Sequence, residues 1–316
     1  MRKENQTVSS GFILLGLSNQ PEYQYLLALL FLSMYLLTLL GNLLIVLLIR
    51  SDIHLLHTPM YFFLSHLSLA DVGFASAIVP KLLQNLLFQV KTISYGGCLT
   101  QMYSYMAFGN TDSFLLASMA YDRYLAICHP FRYTTLMNHK RCLFLVAGCW
   151  LLASLHSLLY TVMMSRLSFC SSQEIPQFFC EFYPLLELVC SDTSTIKTTA
   201  LIEGFLDVLV PFVLIVISYA CIFYTILNVT STDGNYKAFS TCGSHLSVVV
   251  LFYGTLCWVY LQPSSRKSDQ KQIVPSLMYT LVTPMLNPFI YTLRNKEMNA
   301  ALRRLVGRMR TLRGYA

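Results

Sequence analysis

Seven stretches of this 316-residue chain stay apolar long enough to cross a bilayer, and charged positions fall almost wholly between them. They run roughly over 26–49, 59–85, 98–122, 142–163, 198–227, 238–262 and 272–293. Each is near or above the ~20 residues that a membrane helix needs. None alternates with period two, as a barrel strand would, and lipid offers no water to an unpaired backbone. The pattern predicts an all-α membrane protein, a seven-transmembrane helix bundle. Beyond it, Met298, Leu302, Leu305, Val306 and Met309 recur at helical spacing with Arg303, Arg304, Arg308 and Arg310 among them. That predicts a short amphipathic C-terminal helix lying on an anionic membrane face.

Composition agrees: 55% of residues are hydrophobic and only 12% charged, unlike an ordinary soluble domain. Residues 1–25 lack the apolar core and small-residue cleavage site of a signal peptide, so the first span is expected to direct its own insertion. Basic residues set the orientation. With the N-terminus outside, the inner segments carry thirteen of them and the outer segments eight, the inner set concentrated between Arg294 and Arg313. The chain then divides into an extracellular N-terminus (1–25), the seven-span domain (26–293) and a cytoplasmic tail (294–316). Asn5-Gln6-Thr7 is a glycosylation acceptor on the outer side, whereas Asn228-Val229-Thr230 falls inside and should be silent. The tail has no cysteine for palmitoylation, since none follows Cys257.

Four of ten cysteines fall outside: Cys98, Cys170, Cys180 and Cys190. An even number in an oxidising compartment suggests two disulfides, with three connectivities open. Metal binding is the alternative, but no Cys-x-x-Cys or paired histidine accompanies them. The other six cysteines read as small buried hydrophobes.

Several polar residues interrupt the apolar runs at a cost that calls for a reason. Asp122 and Arg123 close the third run. Asp71 and Asp112 lie mid-span, where two acids repel unless one is protonated or a cation sits between them. Glu203 and Asp207 stand four residues apart on one face of the fifth run, in its outer half. They could accept an amine or hydroxyl ligand, or simply bond to neighbouring spans. His156 in the fourth run reads the same two ways. There is no Gly-x-Ser-x-Gly elbow, His-Glu-x-x-His or phosphate loop, so an enzyme is not expected. A retinal protein needs a lysine inside the seventh span, and none lies between Lys271 and Lys296. A channel or transporter would use Asp71 and Asp112 on an ion path, but the internal repeats common in transporters are missing.

Five ordered blocks then give a resemblance. They are Leu56-His-Thr-Pro-Met-Tyr-Phe-Phe-Leu64, Met119-Ala-Tyr-Asp-Arg-Tyr-Leu-Ala-Ile-Cys128, Ser218-Tyr219, Lys237-Ala-Phe-Ser-Thr-Cys-Gly-Ser-His-Leu246, and Pro284-Met-Leu-Asn-Pro-Phe-Ile-Tyr-Thr-Leu-Arg-Asn-Lys-Glu297. Spread across the whole chain, they resemble those of olfactory receptors in the rhodopsin-like G-protein-coupled superfamily. The resemblance implies a plasma-membrane receptor for a small volatile odorant, coupled to a stimulatory, olfactory-type heterotrimeric G protein that raises cyclic AMP. Nucleic acid is not an expected partner. Tyr105, Met106, Gly109, Asn110, Tyr253, Leu256, Tyr260 and Thr280 would line the odorant pocket, with Glu203 and Asp207 as its polar wall. Asp122, Arg123, Tyr124, Tyr219, Asn287, Pro288 and Tyr291 would form the switch, Arg123 pairing at rest with Asp122 and turning toward Tyr219 and Tyr291 on activation. The resemblance also suggests a sodium ion at Asp71 and Asp112, with Asn42 and Asn287 beside it and a neutral hydrogen-bond network as the alternative. The pairing taken with the resemblance is Cys98–Cys180 and Cys170–Cys190.

Departures stand out too. Gln177-Phe-Phe-Cys-Glu181 occupies a place where the family usually has histidine first and aspartate last. The third inner loop, Asn228 to Tyr236, carries Asp233 and no basic residue before Lys237. Gly243 replaces a commoner alanine. The nearest rival is a non-olfactory receptor of the same superfamily for a small amine or metabolite. Amine receptors typically carry an aspartate where this chain has Tyr105, and Asp112 lies two turns deeper.

Overall fold

The computed structural model describes residues 11–17, 21–170, 173–228, 232–260, 269–294 and 296–313. Asn5 therefore lies outside the described residues, as do the side chains of 232–241, Tyr260, Val306 and 308–313.

Seven long helices appear in the expected places. Span one is Pro21–Ser51, span two Pro59–Phe88, span three Tyr95–Cys128 and span four His139–Ser165. Span five runs from Ser194 to Asn228, span six from Thr232 to Tyr260 and span seven from Asp269 to Arg294. Their starts are chemically marked. Pro59 sits at the first helical position, where its missing N–H is no loss. Ser94 and Asn138 cap spans three and four by accepting from the N–H groups of Gly97 and Arg141 at 3.1 and 3.0 Å. Span two ends at Gln89, which takes the left-handed conformation (φ 57°) that stops a helix.

Among the described residues six helices are long and apolar enough to cross a membrane, and span three falls below that measure. The reason lies in its position. Leu26, Leu29 and Leu40 of span one and Leu201 of span five face outward, where lipid takes the place of protein. Span three instead buries Gln101, Thr111, Asp112, Ser113 and Asp122. A helix surrounded by other helices can carry polar groups, provided its neighbours satisfy them.

Span three also runs six residues beyond the expected end at 122, because Tyr124-Leu-Ala-Ile-Cys128 remains apolar enough to bury. Asp122 and Arg123 are thus held inside the helix. Spans five and seven each contain one wide turn, at Phe205–Leu209 and Met278–Val282. Such π-turns shift the residues that follow and often occur at functional sites.

The apolar core forms two clusters, one toward the inner ends around Leu64, Leu116, Met119 and Ile222, the other toward the outer ends around Phe12, Ile78, Met102 and Phe179. A small sheet closes the outer end. Strand β1 (Gly11–Leu14) lies between β2 (Thr92–Ser94), antiparallel, and β3 (Glu174–Ile175), parallel. The register pairs Phe12 with Ile93 and Ile13 with both Thr92 and Glu174. A Cβ at Gly11 would lie 2.3 Å from the Ile93 carbonyl oxygen, so this crossing admits only glycine. No sheet is expected from the sequence, since strands of two to four residues show no periodicity.

The tail helix, Lys296–Arg313, docks on the inner ends of spans one and seven. Met298 and Ala301 are buried in the inner core and Leu302 and Leu305 pack against it. Arg303 and Arg304 are exposed. Arg304 Nε donates to Asp52 at 2.9 Å, and Tyr61 donates to Glu297 at 2.9 Å.

Candidate functional site

Polar chemistry gathers at three depths. The outermost group begins with His156, nine residues from the end of span four, and Glu203, nine residues from the start of span five. At 1.5 Å per residue both lie roughly 13 Å below the outer ends, so they meet. His156 Nε2 stands 3.1 Å from Glu203 Oε2, and Nδ1 pairs with Asp207 Oδ1. Asp207 sits in the wide turn of span five and is buried. Its second oxygen accepts from Asn110 Nδ2 at 3.3 Å.

Pro211 adds a backbone contact. Without an N–H, it cannot bond the carbonyl four residues back, that of Asp207. Ser113 Oγ donates to that carbonyl at 2.9 Å. Having one proton, Ser113 must then accept from Tyr253, whose hydroxyl is 2.9 Å away. The chain Tyr253 to Ser113 to Asp207 thereby joins spans six, three and five.

Other expected pocket residues have more specific duties. The Tyr105 hydroxyl accepts from the Phe182 N–H at 3.0 Å, and its ring meets Phe179 edge-on. Gln101 accepts from the Cys180 N–H at 2.9 Å. Both side chains hold the outer loop down, together with the disulfide Cys98–Cys180; the second disulfide, Cys170–Cys190, closes the loop on itself. Gly109 faces span two: a Cβ there would come within 3.3 Å of Phe74. Thr280 is buried and bonds the Ser276 carbonyl of its own helix. Met106 is half-buried, and Leu256 packs between the two core clusters. The described residues thus bring Asn110, Glu203, Asp207 and Tyr253 together and set Tyr105, Gly109 and Thr280 apart from them. Gln177, which departs from the family pattern, donates to Ser276 Oγ at 3.2 Å and ties the loop to span seven.

The middle group surrounds Asp71 and Asp112, both buried. Asn287 Nδ2 donates to both oxygens of Asp71, at 3.1 and 2.9 Å. Asp112 is an electrostatic neighbour of Asp71, and its Oδ1 has no hydrogen-bond partner among the described residues. Pro288 repeats what Pro211 does. It frees the Pro284 carbonyl, and Asn42 Nδ2 from span one donates to it at 3.1 Å. Gly41 allows that approach, since a Cβ there would lie 2.9 Å from the Pro288 ring. Asn42 and Pro288 form one joint between spans one and seven.

The inner group differs from expectation. Asp122 accepts from the Tyr133 hydroxyl at 2.8 Å, and no ion pair joins it to Arg123 among the described residues. Tyr133 comes from the inner loop. Burial, then the Asp122 charge, pushes its phenol up from the ordinary value, so it stays protonated and donates. Tyr219 meets His245, hydroxyl to Nδ1 at 2.7 Å, and the other ring nitrogen meets the Leu116 carbonyl at 3.1 Å. A carbonyl only accepts, so Nε2 carries the proton and the neutral imidazole takes the tyrosine's. Arg123 Nε and the Tyr291 hydroxyl have no hydrogen-bond partner among the described residues. Tyr124 points away, bonding His129 at 2.9 Å. The sequence offers a signal for both: His245 lies inside the motif that ends at Leu246, and Tyr133 follows the third span closely.

A family model described as olfactory receptor matches residues 31–308. The chain is 54% identical over 306 residues to Olfactory receptor 1468 of Rattus norvegicus, covering 97% of each chain. It is 56% identical over 306 residues to Olfactory receptor 1E2 of Gorilla gorilla gorilla, again covering 97% of each. Olfactory receptor 1F1 of Homo sapiens is 53% identical over 309 residues, 98% of this chain and 99% of its own.

Proposed function

This chain belongs to the olfactory receptor family, and we propose that its odorant engages the polar wall of Asn110, Glu203 and Asp207 and signals through a stimulatory G protein. It is a multi-pass plasma-membrane receptor and not an enzyme. The observation that carries the proposal is the hydrogen-bonded chain from Asp207 through Ser113 to Tyr253. A ligand that bonds Asp207 shifts the wide turn of span five, and Ser113 passes that shift to span six. Movement of span six in turn disturbs Tyr219 and His245, next to Arg123. Ligand energy enters only as differential affinity for the two packings. Phe178, Phe179 and Tyr105 are buried in the outer apolar cluster, so an odorant entering from outside displaces side chains.

The acids favour odorants that donate hydrogen bonds, alcohols and amines above hydrocarbons, because a buried acceptor left unpaired costs about 1–3 kcal/mol. A cyclic AMP screen of volatiles with the stimulatory G protein present tests the coupling. Responses that reach a different G protein would overturn it. A sodium ion at Asp71 and Asp112 is proposed as well. The Asp112 oxygen without a partner supports it, and the ion would offset the repulsion between two buried carboxylates. Sodium-dependent agonist affinity, lost in Asp112→Asn, tests it.

A further inference from the structure

We propose that His156, Glu203 and Asp207 bind a divalent zinc-like transition-metal ion. One nitrogen from the imidazole and one oxygen from each carboxylate lie within 4.8 Å of one another. The imidazole turns Nε2 toward Glu203 Oε2 and Nδ1 toward Asp207 Oδ1, and Nδ1 and both of these oxygens are buried. An imidazole held against two buried carboxylates is a ready donor set for a shared cation.

Charge points the same way. Two carboxylates and an imidazolium leave one uncompensated negative charge in a low-dielectric bundle, which is costly. Two carboxylates, a neutral imidazole and a divalent ion leave none. The donor set selects the ion. A nitrogen with two oxygens suits zinc, copper or nickel, whereas magnesium and calcium prefer oxygen alone. A four-coordinate zinc holds its ligands at about 2.0–2.2 Å, and the 3.1 Å between His156 Nε2 and Glu203 Oε2 is already a suitable ligand-to-ligand distance. Water completes the shell.

Outer-shell support is present. Asn110 Nδ2 bonds the other oxygen of Asp207, and Ser113 fixes the Asp207 backbone, which orients the carboxylate as good metal sites require. The side chains of His156 and Glu203 remain 22% and 18% exposed, which leaves a way in. The ion would brace span four against span five. This inference shares two residues with the proposed odorant wall but does not depend on it, and its test uses no odorant.

The receptor, purified in lipid nanodiscs without a polyhistidine tag, is titrated with cobalt(II), a coloured substitute for zinc. The expected result is visible d–d absorption at one equivalent, bleached by zinc, and a melting midpoint raised by zinc but not by magnesium. His156→Gln and Asp207→Asn should abolish the band, and Glu203→Gln should weaken cobalt affinity at least tenfold. Should His156→Gln fail to fold, His156→Cys is the second arm: a thiolate ligand adds a charge-transfer band that the wild type lacks. The proposal is overturned if folded wild type shows no d–d band, if the band survives His156→Gln, or if His156→Cys adds no charge-transfer band. An odorant response without a cobalt band would keep the receptor reading and reject the metal site.

Discussion

The midplane acids and the outer acids solve one problem in opposite ways. Asp71 is answered by an amide: Asn287 Nδ2 reaches both of its oxygens, and the amide's geometry is fixed by the Pro288 joint with Asn42. Asp207 and Glu203 are answered by an imidazole, which turns Nδ1 to one and Nε2 to the other. Each cluster stands beside a carbonyl that proline has freed and a side chain from another span has taken. The amide solution holds one arrangement. The imidazole solution leaves choices open for a proton, an ion or a ligand, and a sensing site needs that freedom.

Removing Asn287 should give the largest effect. Asn287→Leu strands both oxygens of a buried carboxyl group, and each acceptor left unpaired costs about 1–3 kcal/mol. The expected outcome is loss of cell-surface receptor and a melting midpoint well below wild type. Glu203→Gln, by contrast, should leave surface expression within twofold of wild type. Equal losses in the two variants would erase the distinction between the clusters.

Ser113→Ala comes next. It leaves the Asp207 carbonyl without its donor, at about 1–3 kcal/mol, and severs span six from the outer acids. Agonist potency for hydroxyl-bearing odorants should fall by tenfold or more while receptor reaches the surface. Unchanged potency at equal expression would show that signals cross by another route. Tyr253→Phe should reproduce the potency loss more mildly, since Ser113 keeps its own bond to Asp207.

The seven spans, their order and the tail helix were legible because each rests on many apolar residues at a repeating period. Pro288 and Asn287 were legible as a motif, but their partners were not. That Asn42 would take the Pro284 carbonyl depends on which faces of spans one and seven meet, and periodicity does not fix rotation about a helix axis. The sequence leaves His156 two roles, and only its depth relative to Glu203 and Asp207 decides between them. The expected Asp122 to Arg123 pairing gave way to Tyr133 because a phenol 11 positions on was folded back by a loop whose shape the sequence does not show. The family resemblance puts Tyr105 in the pocket, and in the structure its hydroxyl accepts from the outer loop.

The smallest effect belongs to the tail. Burial raises the Asp52 carboxyl, but the Arg304 guanidinium and the His54 N–H outweigh it, so its pKa lies below the ordinary 3.8. A depressed carboxyl stabilises docking at pH above that ordinary value, and the contribution fades as pH falls through the folded value. Arg304 is half exposed, so the pair is worth about 0–1 kcal/mol. Arg304→Ala should lower the neutral-pH melting midpoint slightly and not at all in strong acid. A large drop at neutral pH would make the tail as critical as the midplane.

Strand β1 sets a schedule for biosynthesis. Gly11–Leu14 is made first, yet its parallel partner, Glu174–Ile175, lies about 160 residues later in the chain. At roughly 5–20 residues per second the ribosome needs about 10–30 s to deliver it. During that interval Phe12 and Leu14, both fully buried in the finished receptor, have no complete place to go. The outer cap of this bundle is therefore among the earliest segments synthesised and cannot be completed until more than half of the chain has been made.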